Sequence, residues 1–164
     1  MSSSDRRKIL LGLALLPLGA CGFAPAYGTH GVASGLRGRI RAADPTDHNT
    51  FQFVKQFESR LGRPQAPVFD LGYTLQTSEK GLAITTDQQT TRYNVIGRLD
   101  FTLTDRRDGT VALHGSVNSF TGYSATGTTV STGTAEQDAY DRLMVILADK
   151  IVTRLIGAAG TLAI

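Results

Sequence analysis

Cys21 is the single cysteine of this 164-residue chain, and it stands directly after a basic end, an apolar run and two small residues. With no second cysteine it can close no intramolecular disulfide, so the thiol calls for another explanation. A second group of residues is guanidinium-bearing: Arg37, Arg39 and Arg41 recur at every second position. On a strand that spacing lines three arginines along one face. It suits bidentate recognition of phosphate or carboxylate, and it equally suits the solvated face of an edge strand, where charge discourages aggregation. Constellations of enzymes are missing. His30, His48 and His114 are scattered, with no partner at metal spacing from His48. There is no Gly-x-Ser-x-Gly elbow, and Asp105 and Asp108 flank Arg106 and Arg107 as turn residues rather than as an acid/base pair. The chain reads as a non-enzyme with no metal and no cofactor beyond covalent lipid on Cys21.

The elements that position Cys21 are those of an export signal. Arg6-Arg7-Lys8 precede the apolar run Ile9 to Leu16, and Pro17-Leu18-Gly19-Ala20 form a small-residue exit. The run is far short of the about 20 residues that a permanent transmembrane helix needs. Leu18-Gly19-Ala20-Cys21 resembles the lipobox of bacterial lipoproteins. That resemblance implies cleavage before Cys21, with 1–20 as signal peptide and a membrane anchor on the thiol; an ordinary cleaved signal with a chance cysteine is the alternative. A lipidated and N-acylated cysteine would carry three chains, where a single one binds only marginally. Gly22 rather than aspartate follows, as in lipoproteins passed on to the outer membrane. Asp5 to Leu10 also resembles a loose twin-arginine signal, but without a flanking aromatic ordinary Sec export ranks higher.

Removing residues 1–20 leaves 144 residues, and Lys+Arg falls from 17 to 14 while Asp+Glu falls from 14 to 13. The mature net charge is then +1, so the basic character of the whole chain belongs largely to the leader and argues for no nucleic-acid partner. The mature length fits one domain, 36–160, behind a lipidated tether, 21–35, that is rich in small residues and lacks hydrophobic period. Phe23 and Tyr27 lie beside the lipid, either as membrane or partner contacts or as incidental parts of a flexible leader.

Leu36 to Ala42 alternates as a half-buried strand. Asp44-Pro45-Thr46-Asp47 supplies a stop and an N-cap, after which Phe53, Val54, Phe57 and Leu61 recur at helical spacing until Gly62 and Pro64. From Phe69 the period changes to two, through Leu71, Tyr73 and Leu75, with a turn expected at Ser78-Glu79-Lys80-Gly81 and a restart at Leu82. Tyr93 to Leu103 is the longest clean alternation, a strand with one wet face. Asp105-Arg106-Arg107-Asp108-Gly109 reads as a hairpin loop with Gly109 at positive φ, and Val111 to Val117 as the partner strand. Phe120 to Gly133, rich in Gly, Ser and Thr, reads as a mobile loop or frayed strand extension. Ser131 or Thr134 is expected to cap a long helix whose Ala139, Leu143, Ile146, Leu147, Ile151 and Leu155 face the core, opposite Asp138, Asp141, Arg142, Asp149 and Arg154. The order strand, helix, antiparallel strands, helix predicts an α+β two-layer sandwich, with two helices on one face of a mainly antiparallel sheet.

Cys21-Gly22-Phe23-Ala24-Pro25-Ala26-Tyr27-Gly28 is similar to the Cys-Gly-Phe-x-Pro-Leu-Tyr start of the LptE family of lipopolysaccharide-assembly lipoproteins, in its alphaproteobacterial form. Thr91-Arg92-Tyr93, Leu113-His114-Gly115, Ala135 to Ala139 and Leu147 to Leu155 resemble the family's pattern in order. Leu18-Gly19-Ala20 and Phe120-Thr121-Gly122-Tyr123 with its Gly/Thr-rich continuation depart from it. The resemblance implies an outer-membrane lipoprotein whose domain faces the periplasm or plugs the lumen of the large β-barrel LptD, assists its assembly and binds lipopolysaccharide. A polar barrel lumen would be met by a small domain with polar flanks. Anionic lipid A implies basic contacts, for which Arg37, Arg39, Arg41, Arg92, Arg98, Arg106 and Arg107 are the candidates, with Arg106 and Arg107 first. Of these two neighbours, one is expected to reach a ligand phosphate while the other faces water or Asp108. The Phe120 to Gly133 stretch and the edge of the Leu36 strand are the expected barrel contacts. The alternative is a periplasmic auxiliary lipoprotein of another envelope lipid-transport system, with the same anchor and size.

Overall fold

The computed structural model describes residues 28, 31–84 and 90–162, so Cys21, the leader and most of the tether lie outside the described residues. The elements in chain order are α1 (Val32–Leu36), β1 (Ile40–Ala42), α2 (His48–Leu61), β2 (Phe69–Ile84), β3 (Thr90–Asp105), β4 (Val111–Ser124), α3 (Thr129–Ala158) and a 3-10 turn at Ala159–Thr161. The strands form one sheet in the order β1-β2-β3-β4. β1 pairs parallel with β2, Ile40 opposite Phe69, while β2–β3 and β3–β4 are antiparallel. A parallel pair needs a crossover, and α2 is that crossover. Both long helices cover one face of the sheet, the α+β two-layer arrangement that the pattern predicts.

Period-two alternation assigns the two faces. Odd-numbered Phe69, Leu71, Val95, Leu99, Phe101, Leu103, Val117 and Tyr123 are buried beneath the helices. Even-numbered Thr74, Arg92, Arg98, Thr102, His114 and Asn118 are exposed on the open face. α2 starts as its cap dictates. Asp47 Oδ1 accepts from Thr50 N at 2.8 Å, and Thr50 Oγ1 accepts from Asp47 N at 3.0 Å, which satisfies orphan donors at the helix start. Gly62, at φ 81°, ends it, and Phe53, Phe57 and Leu61 are buried.

α3 buries two rows rather than one. Leu143, Leu147, Ile151 and Leu155 lie buried, and so do Met144, Ala148 and Val152, one position further round. The second row belongs to the seam with α2, whereas the expected core residue Ile146 is only half-buried. At Gly97 a Cβ would stand 2.9 Å from Leu143 Cδ2 and 3.1 Å from Leu147 Cδ1. Gly97 therefore lets α3 approach β3 closely, and burying each such leucine stabilises the fold by about 1.5–3 kcal/mol.

Four local expectations are corrected. Leu36 to Ala42 is not one strand: Val32–Leu36 is helical, residues 37–39 turn, and only Ile40–Ala42 pair. Leu36 is fully buried, and Gly38, at φ 69°, donates to Leu61 O at 2.7 Å, so tertiary contacts fold this stretch back on itself. Ser78 to Gly81 makes no turn, because β2 runs through it opposite Tyr93 to Ile96, with register shifts at Gly81/Ala83 and Ala83/Ile84. Phe120 to Ser124 is paired strand, register-matched to Arg92 to Ile96, so for this part of 120–133 the strand extension holds and the mobile loop does not. α3 is capped by Thr128, whose Oγ1 accepts from Ser131 N at 3.3 Å, not by Ser131 or Thr134, and Thr129–Gly133 are helical.

Candidate functional site

The Asp105 to Gly109 hairpin is held by its own backbone. Asp105 N donates to Thr110 O at 2.8 Å and Gly109, at φ 73°, donates to Asp105 O at 2.9 Å. A residue with a Cβ is strained at that φ, which is why glycine closes the turn. Arg107 grips the Asp105 carboxylate through Nε at 2.9 and 3.1 Å, and its backbone N–H donates to the same group at 2.8 Å. These side-chain and backbone bonds hold the Asp105 carboxyl down at about 2. Arg106 points elsewhere, with Nε 3.4 Å from the exposed carboxylate of Asp70 on β2. The two guanidiniums do diverge, but Arg107 faces Asp105. Asp108 instead accepts from Thr110 N at 2.9 Å and Thr110 Oγ1 at 2.8 Å.

The other arginines are dispersed. Arg92 and Arg98 lie on the open face of β3, and Arg98 forms a bidentate pair with Asp100, Nη2 to Oδ1 at 2.7 Å and Nε to Oδ2 at 3.1 Å. That hydrogen bonding pushes Arg98 up and Asp100 down from their ordinary values. A shallow concavity of about 610 Å³ runs beside them, lined by Thr74, Arg98, Asp100, Thr102, His114 and Ser116. Arg37, Arg39 and Arg41 do not line one strand face. Arg37 caps α1 with its side chain beside Gly62, Arg39 sits half-buried in the turn, and only Arg41 is on β1, 3.8 Å from Asp44.

Thr91 to Tyr93 and Ala135 to Ala139, two of the segments that resemble the family pattern, meet Thr121 to Ala125 at the other end of the sheet. Tyr93 stacks on Tyr123 with ring centroids 5.3 Å apart. Thr91 O accepts from Ala125 N at 2.9 Å, Ala139 O accepts from Thr121 Oγ1 at 2.7 Å, and Gly122 O accepts from Arg142 Nη2 at 3.2 Å. Tyr123 O–H donates to Glu79 at 3.4 Å, and burial together with the Glu79 charge pushes its phenol up to about 12. Burial and Glu79 raise Tyr140 as well. This corner is a packed joint between β2, β3, β4 and α3.

The sequence reading missed one cationic feature. Lys150 and Arg154 of α3, with Ser116, Val117, Asn118, Ile146, Asp149 and Thr153, line a groove of about 500 Å³ between α3 and β4. The signal was present as Lys150 and Arg154 at helical i, i+4 spacing, but only the packing of α3 shows that they overhang an edge strand. Among the described residues no His, Cys, Asp or Glu group could hold a metal ion, and no helix is long and apolar enough to cross a membrane.

Residues 37–155 match the model of the LptE family, lipopolysaccharide-assembly. No curated protein matches the chain in sequence. Among solved structures, a Caulobacter crescentus protein assigned as a lipoprotein superposes with a TM-score of 0.66 at 19% identity, covering 81% of this chain and 98% of that one. Rare lipoprotein B from Shewanella oneidensis gives 0.57 at 13% identity, covering 73% and 93%. A minor lipoprotein from Acinetobacter baumannii gives 0.54 at 15% identity, covering 73% and 89%. At these identities the likeness is one of fold. The chain belongs to the LptE family and is a lipopolysaccharide-assembly lipoprotein, not an enzyme.

Proposed function

We propose that this LptE-family chain is anchored in the outer membrane through lipid on Cys21, binds lipopolysaccharide, and plugs and assists an LptD-like β-barrel that delivers it to the cell surface. The observation that carries this reading is the family match over 37–155, nearly the whole folded domain. The Cys-Gly-Phe-x-Pro start at Cys21 supports the alphaproteobacterial form. A compact sandwich with a polar open face suits a barrel lumen. Co-purification from detergent-solubilised membranes tests the partner: an outer-membrane barrel of the LptD kind is expected, and capture of an inner-membrane transport ATPase instead would favour the auxiliary-lipoprotein reading. Cys21→Ser should abolish fatty-acid labelling, and a normally labelled mutant would overturn the anchor.

For lipopolysaccharide, Arg106 and Arg107 at the hairpin tip remain the first candidates, followed by Arg92 and Arg98, then Arg37, Arg39 and Arg41. The geometry favours Arg106, because among the described residues its acid partner is the exposed Asp70 at 3.4 Å, while Arg107 is locked onto Asp105. A charge-assisted contact to a lipid A phosphate is worth about 1.5–3 kcal/mol, about ten- to a hundredfold in affinity. Arg106→Ala should therefore weaken lipopolysaccharide binding by that factor and Arg107→Ala by less. Unchanged binding in the double mutant at low and high salt would move the site away from the tip.

A further inference from the structure

We propose that the outer edge of β4, together with the groove under α3, is a strand-addition site for an extended acidic segment of a partner protein. β4 ends the sheet order, so no described strand lies beyond its fourteen residues. Its outward backbone groups are identified by what they meet. Gly122 O accepts from Arg142 Nη2 at 3.2 Å and Asn118 O accepts from Lys150 Nζ at 2.6 Å, both from α3. On the inward side, the next odd position, Ala125, donates to Thr91 O of β3. Even-numbered His114, Ser116, Asn118, Phe120 and Gly122 therefore turn their N–H and C=O outward at alternate positions, the spacing a neighbouring strand matches. Flexible cationic side chains occupy two of these carbonyls where a strand's N–H groups would donate.

The side-chain environment selects the occupant. An added strand would alternate between the open face and the groove. On the open face it would meet Phe120, 64% exposed and directly opposite Ile96, 39% exposed, a cross-strand apolar row with no third member. In the groove it would meet Val117 and Ile146 at the floor and Lys150 and Arg154 at the wall. Neither cation pairs with a carboxylate among the described residues, whereas Asp149, which also lines the groove, is held by Arg60 through Nε at 2.8 Å and Nη2 at 3.1 Å. Room for the Arg154 guanidinium comes from Gly115, where a Cβ would stand 2.8 Å from Nη1. When the strand arrives, its N–H takes Asn118 O and Lys150 swings to the incoming carboxylate. The recognised pattern is acidic toward α3 and apolar toward Phe120.

The test uses the full-length chain in detergent and a blocked, fluorescein-labelled peptide in which Val and Glu alternate, read by fluorescence anisotropy. Saturable binding is expected, weakened at least tenfold by Lys150→Glu with Arg154→Glu and restored in that variant when Lys replaces Glu in the peptide. A peptide N-methylated at every residue, which can donate along neither edge, should not bind; this arm does not depend on any variant folding. Equal binding of the N-methylated peptide would overturn strand addition, and equal binding of the Lys peptide by the unmodified chain would overturn the charge assignment. Absence of binding, or a concentration-dependent dimer of the chain that the peptide fails to displace, would overturn the acidic partner.

Discussion

α3 carries opposite charge on its two flanks, and the flanks are used differently. Toward α2 it presents carboxylates: Asp141 meets His48 Nε2 at 3.1 Å and Gln52 Nε2 at 3.2 Å, and Asp149 takes the bidentate Arg60. Toward β4 it presents Arg142, Lys150 and Arg154, of which two donate to strand carbonyls and one lies over Gly115. The first flank is closed on itself, each carboxylate met by donors from a neighbouring helix. On the second, Arg142 also pairs with Asp138 at 2.9 Å, while Lys150 and Arg154 meet no carboxylate among the described residues. The same helix thus holds the domain together on one side, and on the other leaves Lys150 and Arg154 for the acidic strand proposed above.

The largest effect should come from the apolar rows between the flanks. Leu147→Ala is expected to cost about 2–5 kcal/mol in chemical denaturation followed by circular dichroism, and a loss below about 1 kcal/mol would mean that the charged flanks hold the helix. Gly97→Ala should cost about 1–3 kcal/mol by forcing Leu143 and Leu147 off the sheet; a neutral result would show that α3 can lift without loss, and with it the groove wall. On the closed flank, a double-mutant cycle between Arg60 and Asp149 should give a coupling of about 0.2–1 kcal/mol that shrinks with added salt, because both groups are near half-exposed. The open flank should matter least to stability. Lys150→Ala with Arg154→Ala is expected to change it by no more than about 0.5 kcal/mol. A cost matching that of the Arg60–Asp149 pair would erase the distinction between the flanks.

Much of the frame was legible in the chain before any coordinates. Asp47 as the cap of α2, Gly62 as its end, the alternation from Tyr93 to Leu103 and the positive φ of Gly109 are local matters: each depends on a residue's own side chain or backbone and a few neighbours. The site was legible only in part. Divergence of Arg106 and Arg107 followed from their adjacency, and Arg107 finds Asp105 within the hairpin, yet the Asp70 partner of Arg106 required the register of β2 against β3.

What the sequence determined by itself is an α+β order of elements and the faces of its regular strands and of α2. Tertiary structure decided whatever turns on distant pairing. Arg37, Arg39 and Arg41 alternate as a strand would, but Leu36 is drawn into the core beside the chain's end, so that only Ile40–Ala42 pair. Ser78 to Gly81 has turn composition, and β3 holds it extended; Phe120 to Ser124 has loop composition, and the ladder to Arg92 to Ile96 outweighs it. The acidic and basic residues of α3 look alike as one solvated helix face until α2 and β4 take opposite sides of it. The reason is the same in each case: local preference is worth a fraction of a kcal/mol per residue, and a run of ladder hydrogen bonds with buried side chains exceeds it.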